Sequence, residues 1–120
     1  MNFGNALQNE IALERQLVIV LNTYLQPFIQ GNNYYNFRCN VCNDSQKNKF
    51  KKRGYLLHKR DKPWTFFCHN CSTSMRADKW LKEYYPGNYR EYIAEILSNI
   101  TPAIICFFVI NLVIRFKSIG

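Results

Sequence analysis

Residues 39–42 read Cys39-Asn40-Val41-Cys42 and residues 68–71 read Cys68-His69-Asn70-Cys71, two C-x-x-C pairs with 25 residues between them. Each pair lets two sulfurs converge from one tight knuckle. Two facing knuckles give the tetrahedral four-sulfur site that Zn²⁺ accepts at about 2.3 Å per bond. The separation is longer than the commonest zinc spacing, and a two-stranded excursion between the knuckles would absorb it. A thioredoxin-type redox pair needs one C-x-x-C at the start of a helix in a βαβ unit, and no such unit is legible here. Redox or disulfide use and an iron–sulfur cluster remain as alternatives to zinc. Four thiolates would close the site to water, so one structural Zn²⁺ per chain is expected on Cys39, Cys42, Cys68 and Cys71, with no catalytic role. His58 and His69 are then expected as packed or surface side chains. A module of about 45 residues has too little core to stand alone, and metal binding supplies the missing stability.

The flanking sequence supplies the rest of the fold. Between the knuckles, residues 54–58 and 64–68 read as strands joined by the turn Arg60-Asp61-Lys62-Pro63. Before them, Gly31-Asn32-Asn33 is a turn signal, and Tyr34, Tyr35 and Phe37 run extended into Cys39. Leu7, Ile11, Val18, Leu21, Leu25 and Phe28 recur at helical steps, which predicts an amphipathic helix over residues 6–29 that Pro27 ends or kinks. Past Cys71, Ser74 is a candidate N-cap for a helix with Trp80, Leu81, Tyr84 and Tyr85 on one face. Pro86-Gly87 stops it, and Asn88 with Glu91 caps a further helix striped by Tyr89, Tyr92, Ile93, Ile96 and Leu97. The expected architecture is a small α+β fold: a zinc ribbon over residues 34–76, an N-terminal helix within 1–33, two helices within 77–98, and a tail over 99–120.

At 120 residues the length suits one domain, and 48% hydrophobic against 20% charged residues is the balance of an ordinary globular core. No internal repeat is visible. The bias is in the charge: +8 overall, with a sequence pI near 9.4. Between Arg38 and Lys82 stand twelve Lys/Arg and three Asp, so the positive balance lies on the knuckle region. Lys47, Lys49, Lys51, Lys52 and Arg53 form the densest run. Phe50, Tyr55, Trp64, Phe66 and Phe67 interleave with the bases, and rings beside cations suit single-stranded nucleic acid, whose unpaired bases offer π-faces. In Trp64-Thr65-Phe66 the two rings share one strand face and Phe67 takes the other, so only one set is free for a ligand. No Gly-rich phosphate loop, Ser/His/Asp arrangement or paired acids appear, so no catalytic residue and no small-molecule substrate are expected.

The start, Met1-Asn2-Phe3-Gly4, has no basic targeting region, which predicts a cytoplasmic chain. Residues 103–114 contain one polar member, Asn111, and as a helix would span about 18 Å against a hydrocarbon layer of about 30 Å, so a membrane anchor is disfavoured. Cys106 in that run reads as a buried small hydrophobe.

These residues resemble the N-terminal zinc-ribbon domain of the DNA primase subunit of T-even-like tailed bacteriophages. The resemblance rests on Phe37-Arg38-Cys39, Asp44-Ser45, Lys52-Arg53-Gly54-Tyr55, Cys68-His69-Asn70-Cys71, Leu81-Lys82-Glu83 and Tyr89-Arg90-Glu91-Tyr92. It implies zinc on the four cysteines and recognition of single-stranded DNA template by Arg38, Lys47, Lys49, Lys51, Lys52, Arg53 and Tyr55. It also implies a role in RNA primer synthesis beside a separate catalytic domain or replicative helicase, in the host cytoplasm. The family favours proline after the first cysteine and glycine after each pair, where this chain has Asn40, Asn43 and Ser72. The similarity fades near Leu97, which makes the tail either the product of a truncated reading frame or a docking segment. The alternative function is a protein-interaction or transcription-type ribbon with nonspecific nucleic-acid affinity.

Overall fold

A computed structural model of the chain describes residues 3–44 and 47–99. Helix α1 (Phe3–Tyr24) leads into five strands, β1 (Ile29–Gln30), β2 (Tyr34–Phe37), β3 (Gly54–Leu57), β4 (Thr65–Cys68) and β5 (Ser74–Arg76), followed by helices α2 (Ala77–Tyr84) and α3 (Pro86–Ser98). The strands form one antiparallel meander in chain order. This is the small α+β architecture expected, with one helix before the sheet and two after it.

Register sorts the side chains. Tyr35 pairs with Leu56 and Leu56 with Phe66, while Phe37 pairs with Gly54 and Gly54 with Cys68. These residues share one face and are buried. Leu13, Leu17, Val20 and Leu21 of α1 and Ala77, Trp80 and Leu81 of α2 complete that core. The rings of Phe37, Phe66 and Trp80 lie within 6.2 Å of one another, centroid to centroid, at the centre. Fully burying one such side chain is worth about 1.5–3 kcal/mol, so this cluster is a main source of packing stability. The alternation read at residues 64–67 holds: Trp64 and Phe66 are in the core and Phe67 is on the other face.

The structure corrects several local expectations. Helix α1 stops at Tyr24, before Pro27, and Ile29 and Gln30 go into the sheet opposite Asn36 and Tyr35. Two residues are too few to show a strand period in the sequence. Ser74 is a strand residue paired with Phe67, and Arg76 occupies the N-cap of α2 with no capping side-chain bond. Pro86 opens α3 at its first turn, where a missing N–H costs nothing. Asn88 therefore lies inside that helix, and its amide donates to Gln16 Oε1 at 3.1 Å, tying α3 to α1. An Arg15–Glu95 ion pair joins the same two helices. Of the apolar stripe on α3, Tyr89, Tyr92, Ile93 and Ile96 are half-buried and Leu97 is exposed. Residues 100–120, with Cys106 and the apolar run, lie outside the described residues, as does Ser45. Among the described residues no helix is long and apolar enough to cross a membrane.

Candidate metal centre

Strands β2 and β4 each end in a knuckle, and antiparallel pairing of both with β3 brings the two to the same end of the sheet. The Sγ atoms of Cys39, Cys42, Cys68 and Cys71 all lie within 4.8 Å of one another, with Cys42 and Cys68 at 3.8 Å. A tetrahedron with bonds of about 2.3 Å has edges of about 3.8 Å, so the sulfurs fit a four-thiolate metal site. Each knuckle also turns backbone N–H groups onto its leading sulfur. Val41 N donates to Cys39 Sγ at 3.3 Å, Asn70 N to Cys68 Sγ at 3.3 Å and Cys71 N to Cys68 Sγ at 3.5 Å. Asn70 Nδ2 reaches across to Cys42 Sγ at 3.4 Å. Such donors stabilise thiolates. Among the described residues no histidine joins the cluster.

Burial pushes the Cys39 and Cys68 thiols up from their ordinary pKa. Burial acts the same way on Cys71, but hydrogen bonds from the Thr73 hydroxyl and backbone and from Cys68 and Cys42 outweigh it and bring that thiol down to about 7. Burial thus disfavours the ionised form of the Cys39 and Cys68 thiols, and a bound cation would offset that cost. Metal uptake therefore releases protons, and affinity falls as pH falls.

Each knuckle is closed by a residue in the left-handed region: Asn43 at φ 55° after the first pair and Ser72 at φ 61° after the second. These are the positions where glycine would sit without strain. Ser72 nevertheless makes the turn, its N–H donating to Cys68 O at 2.9 Å. Asn40, in place of proline, accepts the indole N–H of buried Trp80 at 3.0 Å, so this departure satisfies a core donor. Gly54 lies under the first knuckle. A Cβ there would meet Cys39 Cα and Phe37 O at 3.1 Å.

The link between Asp44 and Arg53 was not legible in the sequence. Asp44, also at positive φ (55°), buries its carboxylate and accepts from Arg53 N at 2.7 Å and Arg53 Nε at 2.6 Å. Arg53 O in turn accepts from His69 N at 2.9 Å. A single residue at the mouth of β3 thus links the two knuckles. The signal was an acid directly after the first knuckle and an arginine nine positions on, but only the fold makes them partners.

The basic residues expected at a nucleic-acid surface fall into two groups. Lys47, Lys49 and Lys51 are exposed on the loop between the first knuckle and β3, around Phe50, which is 86% exposed. Lys52 and Arg53 are half-buried; Arg53 binds Asp44, and Arg38 Nη1 donates to Asn48 O at 3.2 Å, bracing the same loop. Tyr55 stands on the sheet face opposite the core. There it meets Tyr34 at 6.1 Å and the edge of His69 at 5.2 Å between centroids, and His69 meets Phe67 at 4.7 Å. Among the described residues no helix covers this aromatic row. His58 instead stacks on Trp64 at 4.8 Å.

No protein-family model matches the chain. It is 38% identical over 77 residues to the DNA primase of Enterobacteria phage T4, a match over 61% of this chain and 22% of the primase. The chain thus matches about a fifth of the length of that relative, and the resemblance carried by the knuckle residues is found again by direct comparison.

Proposed function

We propose, starting from the similarity to a phage DNA primase, that this chain is the zinc-binding module through which a viral primase recognises single-stranded DNA template for RNA primer synthesis. The four cysteines hold one structural Zn²⁺, whose part is to fix the knuckles and the loop between the first of them and β3. Lys47, Lys49 and Lys51 meet phosphates, while Arg38 and Arg53 brace the loop they stand on. Tyr55 and its neighbours offer rings to unpaired bases. Nucleotidyl transfer belongs to a separate catalytic domain, and that domain or a replicative helicase works beside the module in the host cytoplasm. The observation that carries this reading is the convergence of four sulfurs next to an exposed basic loop, in a chain related to a primase.

The test is fluorescence anisotropy of the zinc-loaded chain against single-stranded and duplex DNA over a range of salt. Single strands should bind more tightly, and replacing Lys47, Lys49 and Lys51 by Ala should flatten the log–log salt slope by about 2, at roughly 0.7 for each phosphate no longer neutralised. Equal affinity for both forms with an unchanged slope would turn the assignment to a protein-interaction ribbon with nonspecific affinity.

A further inference from the structure

Resting on that reading, we propose that the sheet face opposite the core holds one unpaired base of the template strand in the groove between the β3–β4 turn and the second knuckle. None of the loop lysines lines this groove. Its floor comes from Leu57 and Thr65, paired across β3 and β4, and from Phe67 and Ser74, paired across β4 and β5. Lys59 and Lys62 stand on one rim and His69 on the other, enclosing about 440 Å³. That volume lies in the range of small-ligand sites, about 300–1,000 Å³.

The chemistry selects the occupant. Phe67 is only half-buried, and His69 meets its ring almost perpendicularly, at 88°. A ring held in place on an open sheet stacks a base at little entropic cost, and every unpaired base has a π-face to offer. In a duplex that face is covered by the neighbouring pair. The Ser74 hydroxyl and the His69 imidazole are exposed beside the ring, within reach of a base edge. Lys59 and Lys62 are exposed against Asp61 as the acid of the turn, while Arg76, opposite Thr65 on the same face, is paired with Asp78 at 3.1 Å. The rim is therefore net basic, as a phosphate next to the bound base requires. The groove supplies what the loop lacks: the loop attracts the backbone, and the groove takes a base out of the strand.

Single-stranded oligomers with one abasic site, moved position by position, test this with the full zinc-loaded chain. One position should weaken binding about tenfold or more, the scale of removing one base–aromatic stack. Phe67→Ala and Phe67→Leu, both with zinc content and circular dichroism unchanged, should each remove that position dependence. Lys59→Gln with Lys62→Gln should keep the dependence and lower the salt slope by about 1. An abasic profile that survives both Phe67 variants overturns the groove while leaving the loop-based reading standing. A wild-type chain with no preference for single strands overturns that reading and the groove with it.

Discussion

The two faces of the sheet are drawn from the same residue types and put to different uses. Phe66 and Phe67 are neighbours in β4. Phe66 is fully enclosed between Phe37 and Trp80, and Phe67 stands half-open beside His69. The inner face is closed by α1 and α2; among the described residues the outer face has no helix over it. Composition cannot separate the two rings. The pleat separates them, and the placement of the helices decides which face is core. Among the described residues the buried core cluster contains none of the outer rings Tyr34, Tyr55, Phe67 and His69.

The strongest way to break this contrast is to remove what aligns the strands. Cys68→Ser takes a sulfur from the site where β4 ends, and metal binding of this kind contributes about 10–16 kcal/mol. The variant should fail to retain zinc and lose its cooperative unfolding transition, seen by metal analysis and near-ultraviolet circular dichroism. A metal-loaded, cooperatively folding Cys68→Ser chain would contradict the four-sulfur site.

Next come the adjacent rings, compared at one fixed zinc concentration so that metal linkage does not differ between variants. Phe66→Ala should cost about 3–5 kcal/mol in urea unfolding, and Phe67→Ala about 1 kcal/mol or less. Similar costs for both would mean that the outer face is packed too. The smallest expected effect sharpens the contrast at the knuckles. Ser72→Gly relieves a left-handed backbone at φ 61° and should stabilise the zinc-loaded chain by about 0.5–1 kcal/mol, read as a shift in urea midpoint. A destabilisation of that size would show that the Ser72 side chain has a role in the turn.

The knuckles, the central hairpin and the alternation of Trp64 and Phe66 against Phe67 were legible because ligand spacing and strand alternation are local properties, whereas which of the two faces is core was not. Strands β1 and β5 were not, since two or three residues carry no period, and Ser74 has the chemistry of a cap as well as of a strand end. Asn88 was misread for a similar reason: Pro86 marks a helix start as well as a helix stop, and only the contact with Gln16 distinguishes them. The Asp44–Arg53 link between the knuckles and the groove floored by Phe67 depend on residues that meet only after the meander has folded. Asn43 and Ser72 stand where glycine was expected, and both adopt the left-handed backbone that such a position demands.

The most direct measurement is an amide chemical-shift titration of the zinc-loaded chain with single-stranded DNA. The account predicts perturbations on loop 47–51, on Tyr55, on the turn at Lys59 and Lys62, and at Phe67 and His69, with α1 and the inner core unmoved. Perturbations centred on α1 and α3, with the outer sheet face silent, would contradict it.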